Sequence, residues 1–469
     1  MRRVVGREQC DELREFRTWH IPRRIGKPIC VCAAGMALAA DLRVNAWIDR
    51  RTHSGQFFIR RFATGIAGEF GYDSNYFQRA DDEKPIVSML RLRVTPHLTL
   101  STLGQQRRGQ QGNAAPPTLN FRAGVFASYN ELIATDSQYS SEASDQRHVD
   151  AGANFSLDIL PQRPWGFDLY GDYLRTVEPS NDFNTDRAFD RDSLRLGAGI
   201  NWRPGGGLFE WRLGYELQYN YFERTLFQDF NNAQHFVKMR NRWRFLPRTA
   251  LIYEGDVGFL RYSQTDTQNN AQTIRSRIGV NGLVTNHFAF LALGGWAASF
   301  YESTGGIPVR NYDGPVGQAE LKWFILPQPT LQPGDATAGL ASIAIGYVRD
   351  YTNSYLADYY RRDRGYANLS YFIGGRVLLS AEGGLSHLTH STSFFTDGTV
   401  RNASFGENRV DARLFAEYRP SDTIGINTTL RYDAALDDNR IRDSQANPAS
   451  VDNLQFTRYQ AWLGVRWFM

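Results

Sequence analysis

Residues 192–203 alternate with period two. Leu194, Leu196, Ala198, Ile200 and Trp202 fall on one side, and Ser193, Arg195, Gly197, Gly199, Asn201 and Arg203 on the other. Only an extended strand separates neighbouring residues in this way, and here it sets an apolar face against a charged one. The stretch from 409 repeats the arrangement, with Val410, Ala412, Leu414, Ala416 and Tyr418 opposite Arg409, Asp411, Arg413, Phe415, Glu417 and Arg419. So does the stretch from 210, with Trp211, Leu213, Tyr215, Leu217 and Tyr219 opposite Glu210, Arg212, Glu216, Gln218 and Asn220. From Ala63 onward eighteen such segments follow one another, beginning near 64, 86, 119, 147, 165, 192, 209, 233, 249, 273, 288, 312, 340, 355, 376, 408, 423 and 455.

The connections between segments keep a parity. After even segments they are short and rich in turn residues: Pro161-Gln162-Arg163-Pro164, Pro204-Gly205-Gly206-Gly207, Pro247-Arg248, Thr285-Asn286-His287, Gly374-Gly375 and Pro420-Ser421-Asp422. After odd segments they are longer and polar, as in 135–146, 179–191, 264–272, 390–408 and 437–453. Two even-side stretches, 104–118 and 327–339, are long and rich in Pro, Gly and Gln. Short turns at one end and long loops at the other describe an up-and-down barrel whose ends meet different compartments. A charged face within such a barrel has to look inward, because the lumen is the only wet surface at membrane depth. The expected fold is an all-β, transmembrane, antiparallel up-and-down β-barrel of about 18 strands over residues 63–469.

The N-terminal region agrees with secretion. Arg23, Arg24 and Lys27 precede an apolar run from Ile29 to Ala40 that closes on Ala-x-Ala, the pattern of a secretory signal. Residues 1–22 are too long and too acidic for a signal's start and point to a misassigned upstream start. Residues 1–40 are thus expected to be signal and 41–62 a periplasmic lead-in. Cys10, Cys30 and Cys32 all lie in the leader, so the secreted chain has no disulfide and no thiol chemistry. The leader also holds eight basic and four acidic residues, leaving 45 of each in the remainder. The net charge of +4 belongs to the leader and gives no reason to expect nucleic-acid binding. A mean hydropathy of −0.45 and the lack of an 18-residue apolar run after the leader argue against membrane-spanning helices.

In the last strand Tyr459, Ala461, Leu463, Val465, Trp467 and Met469 share an apolar face with aromatics near both ends, opposite Gln460, Trp462, Gly464, Arg466 and Phe468. It resembles the C-terminal strand of bacterial outer-membrane barrels, which the barrel-assembly machinery reads and which usually ends in Phe. Here Phe468 is penultimate. Tyr459, Leu463, Val465, Trp467, Phe468 and Met469 are therefore the expected assembly signal, and the outer-membrane bilayer the expected surroundings.

Parity places Arg91, Arg93, Arg195, Arg203, Lys238, Arg240, Arg242, Arg244, Arg275, Arg277, Arg413 and Arg431 inside. Asp168, Asp172, Glu210, Glu216, Glu254, Asp256, Glu320 and Asp411 share that space. The densest row is Lys238, Arg240, Arg242 and Arg244, with Glu254 and Asp256 between it and Arg275 and Arg277. Such charges can brace the wall against itself or offer guanidinium donors to a polar or anionic solute. Tyr170 and Phe415, on the same face, could stack on sugar rings. Catalysis has little support: His387 and His390 are three apart on a strand and face opposite sides, so they cannot share a metal. No phosphate loop or CxxC is present, and no enzyme activity or cofactor is expected.

Gly71-Tyr72-Asp73-Ser74-Asn75-Tyr76-Phe77, followed by Leu92-Arg93-Val94-Thr95-Pro96 and Leu103-Gly104, reads as strand, Asp/Ser/Asn turn and strand ending in Thr-Pro. This resembles the start of the β-barrel porins associated with polysaccharide loci, and more closely the outer-membrane barrels of myxobacterial exopolysaccharide export. The resemblance implies an outer-membrane passage for a secreted polysaccharide, paired with a short periplasmic polysaccharide-export protein that docks at 41–62, 104–118 or 327–339. The alternatives from the residues alone are a passive diffusion porin for small polar solutes and a plugged barrel that displays surface-binding loops. The stretch 303–315, with its Pro and Gly, is a candidate to fold into the lumen.

Overall fold

A computed structural model describes residues 61–82, 85–102, 118–177, 190–263, 268–303, 306–327, 339–395, 397–442 and 451–468. Residues 1–60, with the signal and most of the lead-in, the bulk of both long even-side connections, and Met469 lie outside the described residues.

Eighteen strands form the wall. They are β1 (Arg61–Asp73), β2 (Met89–Ser101), β3 (Leu119–Ala134), β4 (His148–Ile159), β5 (Trp165–Thr176) and β6 (Arg191–Trp202); then β7 (Phe209–Phe222), β8 (Asn232–Leu246), β9 (Thr249–Tyr262), β10 (Ala271–Leu283), β11 (Phe288–Tyr301) and β12 (Tyr312–Pro327); and β13 (Gly339–Asn353), β14 (Tyr359–Ile373), β15 (Val377–His390), β16 (Phe405–Tyr418), β17 (Ile424–Ala435) and β18 (Phe456–Phe468). Each pairs antiparallel with its neighbours in sequence, and β18 returns to β1 from Gly65↔Phe468 to Asp73↔Gln460. The sheet is closed, so no wall edge is left unpaired. All eighteen expected segments are present, each within about four residues of its expected start.

The faces sort as the alternation requires. In β18 Tyr459, Ala461, Leu463, Val465 and Trp467 are exposed on the outside, while Arg458, Gln460, Trp462 and Gly464 are buried on the inside. Outward Leu385 is 66% and Ile345 63% exposed, which is stable only where hydrocarbon replaces water. Aromatics mark both interfaces. At the short-turn end Trp165 stacks on Trp202 at 5.8 Å and Phe288 on Trp323 at 6.2 Å. At the long-loop end Tyr129, Tyr219 and Tyr459 are exposed on the same outward face.

The inner face explains many of the 42 glycines. Gly71 lies opposite Trp462, Gly197 opposite Tyr170 and Gly346 opposite Tyr366 in the ladder. A Cβ on these glycines would meet the facing ring at 2.5, 2.2 and 2.4 Å respectively. The glycine therefore lets an aromatic ring lie flat across the neighbouring strand, which strengthens a position that would otherwise pack poorly.

Two local expectations need correction. Asp73 does not open a turn: it is the last residue of β1 and is fully buried among arginines. The loop parity is also weakened at one place, because the outer connection between β13 and β14 has only the five residues 354–358.

Candidate functional site: the lumen and its outer mouth

The strands bring every described lumen candidate to the inner face, and most of the charges there neutralise one another. Asp168 accepts from Arg212 through both carboxylate oxygens, at 3.0 and 2.6 Å, and from Asn201. Glu216 accepts from Lys238 at 2.7 Å and from the Tyr170 hydroxyl. Glu254 bridges Arg277 at 2.8 Å and Arg240 at 3.3 Å. Arg195 pairs with Asp172, Arg93 with Glu69, Arg203 with Glu210 at 3.0 Å and Arg431 with Asp433 at 2.6 Å. Arg244 donates to the Gly207 carbonyl. Asp256 lies opposite Lys238 and Arg275 in the ladder, Arg242 opposite Glu210, and Arg413 opposite Glu382 and Arg431. The basic row on β8 is thus largely matched by acids on its two neighbours and braces the wall. Because strands twist past each other, some braces skip strands: Arg275 of β10 reaches Asp350 of β13 at 3.1 Å. Arg364 of β14 reaches Asp411 of β16 at 2.6 Å.

The sugar-stacking expectation fails for Phe415, which is 2% exposed and lies under the Arg466 guanidinium. Tyr170 is committed to Glu216 and to its seat on Gly197. His387 and His390 do face opposite sides, one exposed outward and the other buried against Glu407. Among the described residues no group of three or more His, Cys, Asp or Glu is placed to hold a metal ion.

Water reaches the inner face. Asn154, Ser156 and Asp158, all inward on β4, are exposed, as is Arg240 on β8. The lumen is therefore wet and mixed in charge in this region.

At the long-loop end the wall carries an inward aromatic ladder that composition did not single out. Tyr312 of β12 stacks on Tyr351 of β13 at 4.3 Å, and Tyr359 of β14 meets Tyr312 edge-on at 5.2 Å. The stack fills the place where the β12–β13 pairing stops, above Gly317↔Arg349. Residues 306–311 of the β11–β12 connection pack against this ladder: Ile307 is buried and Val309 touches the Leu260, Tyr262 and Tyr301 cluster. Part of the 303–315 stretch thus leans inward, as its composition suggests.

The outer connections converge over this ladder. Residues 354–358 sit at the centre of the convergence. Tyr355 meets Phe222 at 5.7 Å and Phe230 at 5.2 Å, at and beyond the end of β7. Leu356 packs on Ile441 and Leu454 of the β17–β18 connection, and its carbonyl accepts from Arg401 of the β15–β16 connection. Asp358 accepts from Asn269 at 2.9 Å and from the Arg310 backbone N–H at 2.7 Å, tying in the β9–β10 and β11–β12 connections. Arg440 then pairs with Asp82 of the β1–β2 connection at 2.8 Å. In ladder order β13 stands five places from β8, and β14 three from β17, so these contacts pass over intervening strands and do not merely join neighbours along the rim. A cavity of about 40 Å³ lies at the joint, lined by Tyr262, Asn269, Tyr355, Asp358 and Arg401, with room for ordered water. Burial holds the Asp358 carboxyl above its ordinary range, against the bonds from Asn269 and Arg310 and the positive charges of Arg401 and Arg310.

No family model and no curated protein matches the chain. Solved structures similar to it include the outer membrane protein OpdK from Pseudomonas aeruginosa, with 11% identity, a TM-score of 0.44, and coverage of 88% of this chain and 100% of that one. OccK5 (OpdH) from the same organism has 8% identity and a TM-score of 0.42 over 88% and 99% of the two chains. OccAB2 from Acinetobacter baumannii has 8% identity and a TM-score of 0.43 over 88% and 98%. The strand count and closure rest on the ladder itself, not on these likenesses. A closed wall with a lipid-facing apolar band, aromatics at both interfaces and a wet charged interior makes the chain an integral β-barrel of the outer membrane.

Proposed function

We propose that the barrel is a diffusion channel for small polar solutes, with its narrowest passage at the loop-covered outer mouth. The observation that carries this reading is the pairing of a wet, charge-balanced wall with a mouth crossed by side-chain contacts. A balanced lining such as Asp168 with Arg212 and Glu254 with Arg277 hydrates a polar solute without holding it. Arg93, Arg195, Arg203, Lys238, Arg240, Arg242, Arg244, Asp256, Arg275, Arg413 and Arg431 serve in it as lining and bracing groups together. Reconstitution in planar bilayers tests the proposal: a channel conducts constitutively, and proteoliposomes swell in small neutral sugars. A correctly folded barrel that neither conducts nor swells overturns it.

Export of a secreted polysaccharide, implied by the resemblance in the first strands, asks more of the same pore. An extended glycan would have to part the contacts of Tyr355 and Leu356, and a periplasmic export protein would have to engage segments beyond the described residues. Loss of surface polymer in a deletion strain with ordinary solute uptake would favour export. Normal polymer with reduced uptake would favour diffusion.

A further inference from the structure

We infer that Tyr355 and Asp358, in the shortest outer connection, set the size limit of solutes admitted at the outer mouth. The inference rests on the channel reading and adds to it the residues that decide what passes. The connection at 354–358 is too short to cover the mouth alone, and its neighbours come to it. Tyr355 supplies the ring that closes the gap toward Phe222 and Phe230. Asp358 supplies both oxygens that hold Asn269 and the Arg310 backbone. On the other side, Leu356 holds the β17–β18 connection, which continues through Arg440 to Asp82. A chain of contacts therefore runs from the β7 end across to the β1–β2 connection, and it has one midpoint.

That midpoint does not carry the wall. The strands on either side, β13 and β14, stay paired from Ala341↔Tyr371 to Asn353↔Tyr359 without it. Cutting Tyr355 back to its Cβ opens a space between the β7–β8 connection and the centre. Removing the Asp358 carboxylate releases two further connections. The lumen below is then reached through a wider opening, while the lining charges stay where they were.

The test uses the full barrel in proteoliposomes and planar bilayers, with neutral sugars from arabinose to stachyose as probes so that charge plays no part. In the Tyr355→Ala/Asp358→Ala double variant, single-channel conductance should rise at least about twofold, and stachyose, excluded by the wild type, should enter. A second pair, Phe230→Cys/Tyr355→Cys, exploits the absence of cysteine from residues 33–469. It should show the wide opening as purified and regain the narrow one after a short bis-maleimide bridge. This compares one folded protein with itself, so it remains decisive if the alanine variant misassembles. Equal conductance and an equal sugar limit in wild type and variants, or before and after bridging, overturn the inference. A wild-type barrel that conducts nothing overturns the channel reading instead.

Discussion

The closing seam and the covered mouth are built from opposite materials. At the seam, where β18 meets β1 and β2, Asp73 is surrounded by charge: Arg458 donates at 2.8 Å through Nε and again through its second guanidinium nitrogen, Gln460 at 2.7 Å and Arg91 at 3.3 Å. Arg91 lies over the Tyr76 and Trp462 rings at 5.4 and 4.9 Å. Tyr76 and Phe77 pack with Val87, Met89, Leu132 and Ala143 beside them, so the ions are dry. At the mouth the contacts are aromatic rings, a small aliphatic cluster, hydrogen bonds and one exposed ion pair between loops. Neighbours in the wall make the seam, whereas the mouth also joins loops whose strands stand three to five places apart. The seam therefore belongs to closing and stabilising the barrel. The mouth can change while the wall stays folded.

The largest expected effect comes from breaking the seam. Asp73→Ala leaves two buried guanidinium groups without their shared carboxylate and should cost about 3–5 kcal/mol. Urea unfolding in detergent and loss of the heat-modifiable band on gels report it, and a seam that tolerates the change would show that closure does not depend on this cluster. Truncating Trp467, Phe468 and Met469, or Trp467→Ala, should lower the assembled fraction before it alters conductance, since Trp467 and Phe468 pair with Ile66 and Gly65 at the closing ladder. Normal membrane levels with altered conductance would reverse that order. Leu463→Arg, on the lipid face of the same strand, should cost about 2–4 kcal/mol if the residue lies near the bilayer midplane.

On the mouth side, Tyr351→Ala removes one ring of the stack on Tyr312. It should cost only about 0.5–1.5 kcal/mol beyond the lost burial while raising conductance. Because Tyr351 is itself buried, the contrast between the two regions rests on conductance, and an unchanged conductance would erase it. The smallest effect is on pH dependence. Because burial raises the Asp358 carboxyl, the covered state binds its proton more tightly than an opened state would. The stabilisation from this group is full below the ordinary carboxylate range and is lost as pH rises through the raised value. Conductance should therefore fall as the outer side is acidified toward about pH 4, and Asp358→Asn should flatten that dependence. Arg310, Arg401, Tyr262, Tyr355 and Tyr359 also lie around the carboxylate.

Asp73 shows why part of the seam was not legible. In the sequence it stands in a Gly-Tyr-Asp-Ser-Asn run whose composition is that of a turn. Its role appears only when Arg458, 385 residues on, is brought beside it. Glu254 was legible as an acid between two basic strands because its partners lie on the adjacent segments. Arg275 and Asp350 were not, since nothing local tells an arginine to pass over two strands. Phe415 shared its face with charged residues and still proved unavailable, because Arg466 covers it.

By itself the sequence determined the strand count, the closure of the last strand on the first, the faces of its most regular strands and the membrane as solvent. Each of these follows from period-two alternation and connection length, which are local properties of the chain. Only the tertiary structure decided which inner charges pair, that Asp73 locks the seam, and that a five-residue connection holds the mouth. Those depend on strand twist and on which loops lean together, and no residue's near neighbours specify either.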